Sequence, residues 1–493
     1  MTLNIQKDGS GSYDITEALT AGSYTISATC NGKNASTTFN VNTGFTRINK
    51  SSLTYKQKDL ASIVSPATGV AKTLIVPITL SGSWTNEWTE AKLAAIKSFM
   101  FEGQDDHTYK NYYETASFRS LVVDGFVTEP YRETSSNLTT EKIQTDTSYS
   151  NLFTLIANAV EWVKTKYANV DWSAYDSDNN GTIDNIHLCT NFNTAEYSRQ
   201  TGENAWNTPL WPHKYQTNRA GTHASPKANV YSIDAIDHFN DPITAIHEQG
   251  HIHGLDDYYD YNYSGADYIG YGDMQSYNVF DWNSYSKMSV GWVSPYVIDG
   301  SSNSVTITLG AAALTGDCLV IPANYSTWNK SAFDEYFLIE LFSNCGLNTK
   351  DWSSWSKNYA DLAGGGVRLY HVDSRILNSS GQEGAPSYSY YTRTNNTRPE
   401  SNPGQGSLSD FPLLRLIQAG KVDTFGSTST SAHHYVGYED LFHTGDVFTF
   451  NEYKHMLSKW GNTVTTMDNG ETFPYTITFN EVTTRYVTLT VSK

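Results

Sequence analysis

The chain of 493 residues is too long for one small binding module and allows roughly two to four domains, since single cores stop growing at about 250–300 residues. With 39% hydrophobic and 13% aromatic residues it can bury substantial cores, which excludes a disordered chain. Asp and Glu outnumber Lys and Arg by 51 to 33, and the resulting net charge of -18 argues against nucleic acid as a partner.

The first segment, 3–41, alternates apolar and polar residues in short runs (Tyr24, Ile26, Ala28; Phe39, Val41) broken by Asp8-Gly9 and Asn31-Gly32. This predicts a β-meander and, over 1–43, a partial immunoglobulin-like β module followed by a linker over 44–71. Residues 73–80 form a continuous apolar run, the pattern of a strand buried on both faces. It opens a catalytic-type domain over 72–297. Helical spacing follows at 88–101 (Leu93, Ile96, Phe99, Met100), strand residues at 118–131, a second helix at 151–167 and a strand at 183–189. After Trp292 short strand-like runs dominate, so 298–493 reads as a β-rich C-terminal region with a surface loop at 378–405. The fold class expected is α+β, with a mixed sheet and an active-site helix.

Polarity is carried by Ser, Thr, Asn, Gly and Tyr rather than by charge, which suggests a secreted or surface-displayed protein. Met1 is nevertheless followed at once by Thr-Leu-Asn-Ile-Gln-Lys, without a basic and then apolar leader. No apolar run reaches the roughly 18 residues of a membrane span. The cysteines Cys30, Cys189, Cys318 and Cys345 stand far apart, so free thiols are expected rather than a disulfide framework.

The stretch 240–257 carries His247-Glu248-x-x-His251 and, beyond it, Gly254 and Asp257. Asp241 suits an N-cap, Pro242 the first helical position and Gly254 a stop, so the sequence frames a helix of about three turns. His247 and His251, four apart, share one face with Cβ atoms about 5–6 Å apart, which lets both imidazoles reach one zinc ion. Glu248 is then placed as the general base for an attacking water. Gly254 permits a sharp turn that returns Asp257 as third ligand; Asp256 competes for that role, and spacing favours Asp257. Two imidazoles and one carboxylate leave a coordination position open, as a catalytic zinc site requires. His253, two residues past His251, lies off the metal face.

These features, with Met274 in Tyr271-Gly-Asp-Met-Gln-Ser276 and with Ser284-Tyr-Ser-Lys-Met-Ser-Val-Gly-Trp-Val-Ser-Pro295, resemble the immune inhibitor A family of secreted zinc metallopeptidases. Further similar segments are Ser117-Phe-Arg-Ser-Leu-Val-Val-Asp-Gly-Phe-Val127, Leu210-Trp-Pro-His213 and Gly364-Gly-Gly-Val-Arg-Leu-Tyr-His-Val-Asp373. The resemblance implies a metzincin-like fold, an extracellular endopeptidase acting on protein or peptide substrates, zinc held by two histidines and an aspartate, and bound calcium. It also implies that Met274 forms an apolar floor beneath the metal. Tyr277 is a candidate hydrogen-bond donor to the transition-state oxyanion.

A second metal signal is Asp176-Ser-Asp-Asn-Asn-Gly-Thr-Ile-Asp184. Asp176, Asp178, Asn180, Thr182 and Asp184 stand at positions one, three, five, seven and nine of a calcium loop, with Gly181 at six. The glutamate usual at position twelve is replaced by His187, so water or a remote carboxylate would complete the shell. Loop chemistry that merely caps local structure is the alternative. Three functions are weighed: a zinc endopeptidase, a surface adhesin or virion structural protein on an inactive or weakly active metallopeptidase scaffold, and a glycan-processing enzyme. Retention of Glu248 favours the first. Oligomeric state, cleavage preference and latency have no signature in the chain.

Overall fold

The computed structural model describes residues 22–30, 33–41, 44–48, 65–255, 257–261, 266–354, 362, 364–378, 382, 391–392, 411–426, 434–459, 461 and 463–493. Residues 1–21, Asp256 and most of the expected 378–405 loop lie outside these. The fold is mixed α+β with several sheets. Strands β1 (Gly22–Cys30) and β2 (Lys33–Val41) form an antiparallel hairpin, the described part of the expected β module. Strand β3 (Phe45–Arg47) lies inside the 44–71 stretch expected as a linker. It is instead the edge of a large sheet, pairing antiparallel with a strand about 250 residues later, a partner that local periodicity does not reveal.

The first large sheet is built from β4 (Gly69–Thr79), β5 (Leu121–Val127), β6 (Tyr131–Arg132), β8 (Ile186–Thr190), β9 (His213–Gln216) and β11 (Val230–Ala235), with β7 (Thr182–Ile183) and β10 (Lys227–Ala228) paired beside it. Its order is β5-β4-β8-β11-β9, parallel except for β9, with β6 also on β4. As the unbroken apolar run predicts, Leu74, Ile75, Val76 and Ile78 of β4 are all fully buried. Alternate residues serve opposite faces: Leu74, Val76 and Ile78 pack with Leu152, Leu155, Ile156 and Val160 of the 17-residue helix Ser150–Lys166, while Ala71 and Ile75 face the site.

Helix α1 (Glu90–Lys97) is shorter than the expected 88–101 and widens into a π turn over Ser98–Glu102. Helix α2 (Tyr109–Ala116) escapes periodicity because its buried face is made of tyrosines, Tyr109, Tyr112 and Tyr113, each no more than 1% exposed. Helix α3 (Ile243–Ile252) carries the zinc motif, followed by the one-turn α4 (Met274–Tyr277) and by α5 (Ser284–Ser289).

The C-terminal half contains β12 (Tyr296–Ile298), β13 (Ser304–Gly310), β14 (Leu319–Ile321), β15 (Glu335–Phe342), β16 (Gly366–Asp373), β17 (Ile376–Leu377), β18 (Tyr391–Thr392), β19 (Leu414–Leu416), β20 (Val447–Thr449), β21 (Thr476–Val482) and β22 (Tyr486–Ser492). Nine of them form a six-stranded sheet with β3, β19-β16-β15-β14-β12-β3, and an antiparallel four-stranded sheet, β13-β22-β21-β20, while β17 pairs with β18. Strand β15 explains how they stack. Phe337, Ile339 and Leu341 pack against Phe448, Ile477 and Leu489 of the second sheet, whereas Tyr336 and Leu338 join the core that contains Ala245 and Ile246 of α3. The division expected at 297/298 therefore runs through β12 and through a shared core. Cys189, Cys318 and Cys345 are free thiols; the side chain of Cys30 is outside what is described. Among the described residues no helix is long and apolar enough to cross a membrane.

Candidate metal centre

Helix α3 begins one residue later than the sequence suggests. Pro242 takes the cap position and its carbonyl accepts the first helical bond from Ile246 N at 2.9 Å. Asp241 still caps, its Oδ1 accepting from Ile243 N at 3.0 Å. At the other end Gly254, at φ +94°, closes the helix: its N–H donates to His251 O at 3.2 Å and Leu255 N to Gly250 O at 3.0 Å, the paired bonds of a Schellman stop. A side chain at Gly254 would be strained there. The turn points the following residues back along the helix.

That geometry brings His247, His251 and Asp257 together, with one ligand atom from each lying within 4.8 Å of the others. Asp257 Oδ1 is 3.1 Å from His247 Nε2 and 3.4 Å from His251 Nε2. The ring centroids are 4.9 Å apart and perpendicular, at 89°. Each Nδ1–H is committed to a backbone carbonyl, His247 to Met274 O at 2.7 Å and His251 to Leu255 O at 2.8 Å, which leaves both Nε2 atoms for a metal. Asp257 Oδ1 is buried and makes no hydrogen bond, while Oδ2 accepts from Tyr261 OH at 2.5 Å. Two imidazoles that present Nε2 to an orphaned carboxylate oxygen suit a divalent zinc-type ion.

The pocket attracts positive charge. Burial pulls the His251 imidazole down, but the negative charge of Asp257 more than reverses it, to about 10. Burial holds the Asp257 carboxyl up, and His251 and His247 overcome it, so it lies well below the usual range. Burial pushes Glu248 above its ordinary value even against the two histidines. Glu248, 8% exposed, is thus a stronger base than a solvated carboxylate.

Met274, 1% exposed, heads α4, and its carbonyl orients His247. Gln275 next to it brings its Nε2 to 3.3 Å from His251 Nδ1 and its Oε1 accepts from Trp282 Nε1 at 3.0 Å; a Cβ at Gly250 would press on that Oε1 and displace the amide. The C-terminal sheet braces this turn. Arg368 Nη2 donates to Gly272 O at 2.8 Å and pairs with Glu340 at 3.5 Å, and Glu340 Oε2 accepts from Ser284 N at 2.7 Å. Gln275 and Arg368 fall in two segments that carry the resemblance, 271–276 and 364–373, yet nothing in their spacing signals these contacts, and Glu340 falls in none. Tyr277 lies in a tyrosine cluster with Tyr271 and Tyr435, its hydroxyl 3.5 Å from that of Tyr435. It lines an open cleft of about 430 Å³ with Asp241, Thr244 and Ser276. Thr244 is one helical turn before Glu248, but His247, Glu248, His251 and Asp257 do not line this cleft.

His253, 1% exposed, donates to or accepts nothing at the metal: its Nδ1–H reaches Pro66 O at 3.0 Å and its ring packs on Tyr113. His371 and Asp373 are also remote from the centre; His371 pairs with Glu335 at 2.9 Å and Asp373 with Arg375 at 2.8 Å inside the C-terminal half.

In the second candidate centre, Asp176, Asp178 and Asp184 each present an oxygen within 4.8 Å of the others. Asp176 accepts from Asn180 N at 2.9 Å and Gly181 N at 3.0 Å, and Asn180 Oδ1 accepts from Thr182 N at 2.8 Å. Gly181 is at φ +80°, and a Cβ there would meet Gly221 O at 2.5 Å. Asp184, 1% exposed, leaves Oδ1 without a partner. Burial and the charges of Asp178 and Asp176 push its carboxyl up to about 7. A hard cation relieves that repulsion. His187, at loop position twelve, turns elsewhere and bonds Ser232 Oγ at 2.8 Å, while His223 supplies an unforeseen contact to Asp176 at 3.1 Å. No protein-family model and no curated protein matches the chain.

Proposed function

We propose that this protein is a zinc metalloendopeptidase, a hydrolase that cuts peptide bonds of extracellular or surface proteins, on a metzincin-like scaffold preceded by a partial immunoglobulin-like module. The observation that supports it best is the convergence of His247 Nε2, His251 Nε2 and Asp257 Oδ1 beside a buried Glu248. When bound, zinc polarises the scissile carbonyl and lowers the pKa of water from 15.7 to about 7. Glu248 takes the proton of the attacking water on its carboxylate and hands it to the leaving amine nitrogen. Met274 O and Leu255 O hold the imidazoles in the tautomer that exposes Nε2. Tyr277, on the cleft wall, is the candidate donor to the developing oxyanion. Asp176, Asp178 and Asp184, with Asn180 and Thr182, would hold calcium and staple the turn that leads into β8.

Elemental analysis of the purified protein, with digestion of a denatured protein substrate before and after zinc chelation, tests the reading. Glu248→Gln keeps stoichiometric zinc and loses several orders of magnitude in turnover. Stoichiometric zinc with no cleavage by the unaltered chain would instead favour an adhesin on an inert scaffold.

A further inference from the structure

Asp184 and Asn185 are neighbours in the chain, yet their side chains serve different elements. Asp184 belongs to the carboxylate trio of the loop, with its N–H on Tyr175 O at 2.7 Å. Asn185, fully buried, donates from Nδ2 to Gln249 Oε1 at 2.5 Å. Gln249 stands in α3 between Glu248 and His251, also fully buried. Its Oε1 accepts a second bond from Tyr109 OH at 3.0 Å, and its Nε2 donates to Ser232 Oγ at 2.6 Å. The carbonyl of Asn185 accepts from Leu74 N at 3.0 Å, so the main chain at this point is tied into the first sheet. One peptide unit and one hydrogen bond therefore separate a carboxylate of the loop from the helix that carries the zinc motif.

We propose that Asn185 is a positioning residue that couples cation binding at the Asp176–Asp184 loop to zinc binding on α3 through Gln249. The inference rests on the two metal sites of the preceding section and adds that they are thermodynamically linked. Three carboxylates within 4.8 Å of one another repel, and a cation that draws them together fixes the main chain at Asp184. Asn185 follows it, and the bond to Gln249 passes the constraint to the turn of α3 between the two histidines. The bonds of Gln249 to Asn185, Tyr109 and Ser232 are all buried, while Asn185 Oδ1 itself has no partner. Linkage requires that zinc favour calcium by the same factor that calcium favours zinc.

The test uses the full chain stripped of metal. Zinc affinity is measured by competition with a chromophoric chelator at zero and saturating calcium, and calcium affinity by calorimetry with calcium chloride at zero and saturating zinc. Calcium is expected to tighten zinc about tenfold, with the reciprocal effect equal. In Asn185→Ala both ions still bind and the factor collapses to near one, whereas Tyr109→Phe, which removes the other donor to Gln249, keeps it. Both ions binding to the unaltered chain without mutual effect overturns the strut alone, as does a factor that survives in Asn185→Ala. If Asn185→Ala does not fold, the factor in the unaltered chain and in Asn185→Ser decides the matter by the same criteria. Absence of calcium binding, by contrast, removes the loop reading and the coupling with it, while leaving the zinc site standing.

Discussion

Asp257 answers to two requirements at once: its Oδ1 faces both imidazoles, and its Oδ2 takes the Tyr261 hydroxyl. A carboxylate held this way is preorganised, so its loss costs more than that of a supporting contact, for which about 10- to 100-fold in metal affinity is usual. Asp257→Ala is expected to lower zinc affinity by more than about 100-fold, while Glu248→Gln leaves it within a few-fold. Metal content after dialysis distinguishes them, and comparable zinc retention in the two variants would show that the third ligand lies elsewhere. The meeting of His247 and His251 was readable from spacing because i and i+4 residues meet on a helix whatever surrounds it. Gln275 was not, since its position against His251 depends on the missing side chain of Gly250, a contact between segments 25 residues apart in sequence.

At the scale of elements, the turn at Gly254 and the strand β8 do most to place the site. Gly254→Ala forces a β-carbon into a left-handed conformation and is expected to cost at least about 1 kcal/mol of stability and to weaken zinc, because the same turn delivers Asp257. Gly202→Ala, at φ +74° with open space around it, is the control that loses stability but not zinc affinity. An equal effect of both on zinc would detach the turn from the site. On β8, burial lowers the His187 imidazole from 6.5 to about 3. The unfolded chain then binds the extra proton first, so this contribution to stability is complete above pH 6.5 and is lost as pH falls towards 3. Its slope reaches at most about 1.4 kcal/mol per pH unit. Thermal melts across that window should fall less steeply for His187→Gln than for the unaltered chain; parallel curves would mean that His187 titrates normally.

Across the whole molecule, the half that carries α3 and the β-rich half share a core, with Ile246 and Tyr285 on one side and Leu338 and Tyr370 on the other. Arg368 and Glu340 reach from the C-terminal sheet to the turn before α4 and to α5. A chain truncated after residue 298 exposes that apolar face and leaves Gly272 and Ser284 without their partners, so it is expected to show no cooperative melt, whereas the full chain unfolds with its two halves together. A truncated form that melts cooperatively and binds zinc would show the halves to be independent. The 297/298 boundary was misplaced for a physical reason: composition changes there, but side-chain alternation along β15 feeds two cores at once, and a single strand gives no hint of what covers each face.

Local chemistry alone specified the meeting of His247, His251 and Asp257, the place of Glu248 beside them, the stop at Gly254 and the turn from Asp176 to Asp184, because each depends on neighbours within one or two turns of chain. The strut from Asn185 to Gln249, the tyrosine-faced helix Tyr109–Ala116, the edge strand Phe45–Arg47 and the brace from Arg368 came into view only with the folded chain. Each pairs residues far apart in sequence, and burial and hydrogen-bond partnership between distant segments leave no periodic trace in either one.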